Sequence, residues 1–542
     1  MRCPLVYEIN TRCWLYELSQ QHGSAVTLGE VPETEFARWR QLGFTHIWLM
    51  GVWRTGPRSR EVSRRFWDQR AVYSELLPDF SDDDLIGSPY AVAGYEVSEA
   101  LGGERGLAAF RARLNSRGMK LILDFIPNHL GLDHPWLEKA PERFVQSAKE
   151  APGTFRQQTV HGPRWIAHGK DPFFPPWADT AQLDYRNPDT RAAMIEELHS
   201  VARRCDGVRC DMAMLLLNEV FARNWERFPT AQTARGDARP TRPAPGRSSE
   251  PEKEFWAEAI AEVKAAQPDF LFLAEAYWDL ESRLIDLGFD FAYDKMLMDH
   301  LVARRGGEVQ RHLLRLSAGC GHSRQPPRKD IAAAAYFLEN HDEPRIASVL
   351  SVEEHRAAAL LILSLPGMRL LHEGQLTGAL IRASVHLRRR PAEAPNAAIA
   401  AFYERFLAVL QTTPVGSGHG EVLKPFAAWE TNPTAENLMI VQWQKEVGDP
   451  ERASGGENDQ GTTNRADEMG SREFFLSVVN LASHASQCHV RPRIDGLSES
   501  DWEMTNLLGP EKFSKSGEGL LQNGLYLDVA AHGAQLFRFE QR

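Results

Sequence analysis

Four short segments of the 542-residue chain end in groups that can do chemistry: Asp124-Phe-Ile-Pro-Asn128-His129, Gly207-Val-Arg209-Cys-Asp211, Ala274-Glu275-Ala276 and Glu339-Asn340-His341-Asp342. Carboxylates attack as nucleophiles, carry protons and face developing positive charge, while imidazoles donate hydrogen bonds or protons. Taken singly, each segment has an ordinary structural explanation, since a lone Asp caps the next helix and a lone His is commonly a satisfied core group. Four of them, each closing an apolar run, form a constellation only if the fold brings the run ends together.

The runs themselves read as β-strands. Eight are expected, at 6–10, 45–50, 120–125, 207–212, 270–276, 289–294, 335–340 and 368–373. Helical patterns such as 106–118, 188–205, 254–267 and 352–364 lie between them. Strands alternating with helices imply βαβ units and a parallel sheet, and eight units at this length imply a closed (β/α)8 barrel. In such a barrel the C-terminal strand ends carry catalysis, which is where all four segments fall.

The spacing also locates insertions. From Asp124 to Asp211 is 87 residues, whereas a unit of the barrel takes roughly 31. The surplus predicts a small subdomain at 130–187 on the third βα loop, with Trp136, Trp165, Phe173, Phe174 and Trp177 in it. The second loop, 51–103, is long as well and holds Arg54, Arg58, Arg60, Arg64 and Arg65. Those arginines read as a solvated stretch paired with Asp82, Asp83 and Asp84, or as an anion site; charge runs are usually solvated. Tracts 230–250 and 448–471 read as disordered on composition. After a last barrel helix at 397–411, strands expected at 439–444, 474–479, 487–490, 524–529 and 534–539 make a C-terminal all-β, sandwich-like domain. The expected organisation is therefore a barrel over 1–129 and 188–415, a subdomain over 130–187 and a β-domain over 416–542.

Apolar residues make up 43% and charged residues 25%, the composition of a globular protein. A net charge of −11 argues against nucleic acid and anionic membranes as partners. No N-terminal apolar leader and no membrane-spanning run is read. The six cysteines, Cys3, Cys13, Cys205, Cys210, Cys320 and Cys488, form no disulfide framework or metal-ligand spacing. A cytoplasmic enzyme is the expectation.

The segments DFIPNH, GVRCDMA, FLAEA and ENHDEPR resemble the four signature regions of the α-amylase family, glycoside hydrolase family 13, in the family's order. Ser88-Pro-Tyr90, Gln182-Leu-Asp184 and the stretch from Gly367 to Gly374 add to the likeness. The resemblance implies a retaining glycoside hydrolase acting on α-linked glucose oligo- or polysaccharides through a covalent glycosyl-Asp intermediate. It makes Asp211 the nucleophile, Glu275 the acid/base and Asp342 the carboxylate that grips the sugar and stabilises the transition state. Arg209 is expected to keep Asp211 ionised. His129 and His341 would hydrogen-bond the sugar, Tyr90 would lie beneath it and Arg345 would stand beside Asp342. Asp124 is expected to organise the site. Trp278, three residues past Glu275, is the best candidate among the tryptophans for stacking on a sugar ring.

Two departures sharpen the reading. Met212-Ala-Met-Leu-Leu follows the nucleophile where many α-amylases carry a Lys-His pair that binds glucan and supplies a calcium ligand. Endo-action and a structural calcium are therefore not implied; Asn128 is the one residue noted as a potential ligand, and no cofactor is expected. Gly94-Tyr95 stands where the family usually has an acidic residue before the tyrosine. The alternatives are a transferase of the same mechanism, whether a glucanotransferase, trehalose-forming or phosphate-using, and, from another class, a non-catalytic scaffold.

Overall fold

The computed structural model describes residues 3–65, 67–228, 253–318, 330–445 and 473–542. The tracts expected at 230–250 and 448–471, and Cys320, lie outside these residues. Eight strands close into a barrel in chain order: β1 (Leu5–Asn10), β2 (His46–Met50), β3 (Lys120–Phe125), β4 (Gly207–Cys210), β5 (Leu271–Ala274), β6 (Phe291–Tyr293), β7 (Ala334–Tyr336) and β8 (Met368–His372). Every pairing around the ring is parallel, with β8 returning to β1 through Leu5 opposite Arg369.

The strands are runs such as HIWLM, LILDF and LFLA, buried on both faces, as parallel strands under a layer of helices must be. Val6, Trp48, Ile122, Leu273, Tyr293 and Leu370 fill the barrel interior. Helices cover the outside, and their starts are written in the chain. The Asn187 side chain accepts from Asp189 N ahead of Pro188–Ala202, and Ser351 and Glu354 form a capping box ahead of Val352–Ser364. Three strands stop earlier than the apolar runs suggest, at Cys210, Ala274 and Tyr336. The residues that follow leave the ladder, which frees Asp211, Glu275 and the 339–342 segment to turn into the cleft.

The third βα loop carries a three-stranded antiparallel sheet (Gln146–Ser147, Thr154–Thr159, Gly162–Ala167) and a two-stranded one joining His129–Gly131 to Thr180–Gln182. The second loop holds a short antiparallel pair, Trp53–Thr55 with Val92–Val97, and helices at Pro57–Arg65 and Trp67–Leu76. After the last barrel helix, Ala397–Leu410, the chain forms a six-stranded and a three-stranded sheet. Trp443 docks this domain on the barrel by donating its indole N–H to Ser364 O at 2.8 Å. Among the described residues no helix is long and apolar enough to cross a membrane, and Cys3, Cys13, Cys205, Cys210 and Cys488 are free thiols.

Candidate active site

Strand register brings the first two carboxylates together. Cys210 on β4 lies opposite Ala274 on β5, so Asp211 and Glu275 leave adjacent strands side by side. Arg209, one residue inside β4, points into the barrel with no solvent exposure. Its Nη1 meets Asp211 Oδ1 at 2.6 Å and its Nη2 meets Glu275 Oε2 at 2.9 Å. The guanidinium is packed against the rings of Trp48, Tyr90 and Tyr293 at 5.5, 5.4 and 5.8 Å.

Glu275 has two further partners. Met212 N–H donates to Oε2 at 2.6 Å and Tyr277 OH donates to Oε1 at 2.8 Å. Met212 reaches that position in a left-handed backbone, φ 45°, which is rare for a residue with a side chain. Burial pushes the Glu275 carboxyl up to about 7, with the neighbouring Asp211 and Asp342 adding to the rise and Arg209 opposing it. A carboxylic acid that keeps its proton near neutrality suits a general acid. Burial also raises Asp211 above its ordinary range, against the pull of Arg209. The expectation for this pair therefore needs revision: the arginine stabilises the Asp211 carboxylate, but desolvation is the larger effect because one guanidinium serves two acids.

Asp342 stands at the third corner, its side chain about half exposed. Desolvation opposes its charge, but His341 and Arg209 outweigh it and hold the carboxyl well below the ordinary range. His341 links three groups: Nε2 lies 3.0 Å from Asp342 Oδ2 and 2.7 Å from Tyr90 OH, and Nδ1 lies 2.5 Å from Glu8 Oε1. Burial disfavours a charge on this imidazole, yet Asp342 and Glu8 raise its pKa well above normal. Tyr90 stacks on the same ring, 5.3 Å between centroids. His129 lies 5.0 Å from the Trp177 ring, and burial pushes it down to about 3, so it is neutral. Asp124 sits beneath, accepting from Trp48 Nε1 at 3.0 Å and Gly51 N at 2.9 Å, a supporting position.

Two expectations meet a different arrangement. Arg345 does not engage Asp342: its Nη1 ends on Glu339 Oε1 at 2.7 Å, His372 Nδ1 at 2.8 Å and Glu373 O at 2.6 Å, with the side chain buried. It is a strut between β7 and β8, because Glu339, three residues past the end of β7, offers a buried carboxylate that no other guanidinium or ammonium reaches among the described residues. The arginines of the second loop are also occupied. Arg54 pairs with Glu96 at 3.0 Å, Arg60 with Asp83 at 3.5 Å and Arg65 with Glu61 at 3.1 Å, and Arg58 donates to Leu132 O at 2.6 Å. Asp84, expected among them, is taken by Arg388 and Arg389 instead. Trp278 is 38% exposed and lies edge-on to Phe173 at 5.1 Å.

Sequence reasoning passed over Glu8, Tyr277 and Tyr293, and named Met212 without its N–H donation to Glu275. For Glu8 the signal was present, a single carboxylate inside the otherwise buried run LVYEIN. For Asn128 the surroundings do not fit a calcium ion. Its Oδ1 accepts from Gln182 Nε2 at 3.0 Å, and nearby Asp184 is gripped by Arg186 at 2.7 and 2.8 Å, so the oxygens a hard cation wants are already in use. Among the described residues no group of three or more His, Cys, Asp or Glu side chains gathers as a metal cluster.

Residues 39–401 match the family profile described as the catalytic domain of α-amylase. The chain belongs to the α-amylase family. This α-amylase family member is 24% identical to α-amylase MalA of Haloarcula japonica over 52% of its own length and 35% of that protein's. It is 22% identical to a probable oligo-1,6-glucosidase of Bacillus subtilis over 60% of its own length and 64% of the relative's. The match thus spans from about a third to under two thirds of these curated relatives. Its fold follows that of a maltogenic α-amylase from Thermotoga neapolitana, with a TM-score of 0.63 at 17% identity and 99% coverage of both chains.

Proposed function

We propose that this family member is a retaining glycoside hydrolase that acts on α-linked glucose oligo- or polysaccharides. The observation that carries the reading is the Asp211–Arg209–Glu275 bridge. A single guanidinium holding both carboxyls leaves little room for a water between them, which favours the retaining arrangement of roughly 5–5.5 Å over the inverting one of about 6.5–9.5 Å. Glu275, protonated near neutrality, gives its proton to the glycosidic oxygen as that bond breaks. Asp211 attacks the anomeric carbon from the other side and forms the glycosyl ester. Glu275, now ionised, takes a proton from water, and the hydroxyl releases the sugar with its configuration kept. Asp342, His341, His129 and Tyr90 supply the wall against which the sugar ring flattens, Asp342 through a negative charge that the cationic transition state feels most.

Free thiols among the described residues fit a reducing cytoplasm. The test is to treat Glu275→Gln protein with an α-glucosyl fluoride, digest it and weigh the peptides. The peptide containing Asp211 should gain one hexosyl group, and unmutated protein should release α-configured sugar first. A label on another carboxylate, or first release of the β-anomer, overturns the assignment.

A further inference from the structure

Trp278, three residues past Glu275 in the chain, lines a groove of about 470 Å³ whose walls include none of the three carboxylates. The loop after β5, the inserted subdomain and the helix Asn218–Trp225 form its walls. Trp278 and Phe173, 38% and 69% exposed, line it. Both are held in place. Asp171 Oδ1 accepts from Phe173 N at 2.6 Å and Phe174 N at 2.9 Å, and Trp278 and Asp279 take left-handed backbones, φ 65° and 59°. Two consecutive non-glycine residues in that region are costly and collect at binding sites.

The groove is also positively charged. Lys170, Arg223, Arg227 and Arg283 face Glu219 and Glu226 across it. Glu219 is engaged by Arg223 at 3.1 Å and Arg283 at 3.2 Å. Lys170 Nζ lies 4.8 Å from the Trp225 ring. Among the described residues neither its ammonium nor the Arg227 guanidinium has a hydrogen bond or ion pair. Burial, and then the charge of Arg227, hold Lys170 below its ordinary pKa against the pull of Asp171, so the two cations repel each other.

We propose that this groove takes the leaving part of the substrate and that this part carries a compact anion, phosphate or carboxylate, seated between Lys170 and Arg227 with its ring on Trp278. The inference rests on the glycosidase reading, because Glu275 protonates the leaving oxygen and Trp278 follows it on the same loop. The balance is that of ordinary glycoside cleavage. The bond from the anomeric carbon to the leaving oxygen breaks, Asp211 takes that carbon, and the anionic alcohol departs with the proton of Glu275.

The experiment compares kcat/KM for maltose, maltose phosphorylated at C6 of the reducing ring, and maltose with that carbon oxidised to a carboxylate. One anionic substrate should exceed maltose roughly tenfold at low salt, with the advantage shrinking as salt screens the exposed cations. In a Lys170→Ala/Arg227→Ala protein the ratio should fall to about one. Which anion wins separates phosphate from carboxylate. Equal rates for charged and neutral substrates, or a ratio that survives the double substitution, overturn the proposal. Calorimetry of glucose 6-phosphate against glucose on Asp211→Asn protein keeps the two readings apart. Binding of the phosphate without any glucoside hydrolysis by unmutated protein would support the groove and sink the glycosidase. Hydrolysis of neutral glucosides with no anion binding would do the reverse.

Discussion

Two pairs of buried carboxyls sit at the top of this barrel, and they are wired differently. At the ends of β4 and β5, Asp211 and Glu275 share one guanidinium, that of Arg209. At the ends of β7 and β8, Glu339 meets Arg345 at 2.7 Å and Glu373 meets Arg390 at 2.7 Å, and Arg390 also pairs with the partly exposed Glu17 at 2.6 Å. Main-chain donors complete the second pair, Ile346 N to Glu339 and Asn10 N to Glu373. Burial raises all four carboxyl pKa values, so titration alone does not tell reacting groups from braces. The ratio of cations to buried acids does, Glu17 on Arg390 being partly exposed. Where it is one to two, a proton must stay and is available for transfer; where it is one to one, the pair is locked.

The comparison is tested most severely at Asp211. Asp211→Asn should lower kcat by a factor of about a thousand or more, since an amide forms no glycosyl ester, while circular dichroism and melting stay near normal. Near-normal turnover would break the first half of the comparison. Next comes Glu275→Gln, expected to lose roughly a hundredfold on sugars with poor leaving groups and far less on activated aryl α-glucosides, with azide yielding the β-glucosyl azide. In the unmutated protein kcat/KM should fall as pH rises through about 7, because Glu275 is active only while protonated. That limb should vanish in the variant on the aryl substrate; a limb that persists belongs to another group.

For the locked pair the readout is stability. Arg345→Leu strands a buried carboxylate and should cost about 3–5 kcal/mol in denaturant unfolding, while the protein that still folds keeps kcat within a few-fold. A selective loss of activity with unchanged stability would make Arg345 a sugar-contacting residue after all. The smallest effect is expected at Glu8→Gln. The side chain still accepts from His341 Nδ1 but no longer favours its charge, so kcat should drop about tenfold with KM little changed, and the His341 imidazole, followed by NMR, should lose its proton at lower pH than in the unmutated protein. Equal changes in Glu8→Gln and Glu8→Ala would reduce Glu8 to a packing role.

Much of this was legible in the chain. The eight apolar runs were visible because parallel strands buried on both faces leave no polar alternation to confuse them, and the tips were visible because strand ends are where such runs meet charge. The exact ends were not: Asp211 and Glu275 read as strand residues, and only the register of Cys210 with Ala274 shows that the ladder has stopped. The helix Pro57–Arg65 was hidden because its buried face is made of Ser59 and Ser63, which give no apolar period. Arg345 was misplaced because a sequence shows a guanidinium near Asp342 in the chain and says nothing of Glu339 competing for it. Trp278 was legible as an aromatic; the strained backbone that aims it was not.

Arg209 has a consequence for how this fold can change over time. It is enclosed by three aromatic rings with no solvent exposure, and its charge is tolerable there only because two carboxyls face it. A descendant that abandoned catalysis could shed Asp211 or Glu275, but not both while keeping the arginine. Its record of lost activity would therefore be written at position 209 as well as at 211 and 275, and a lineage with both acids replaced should carry an apolar or uncharged residue in the arginine's place.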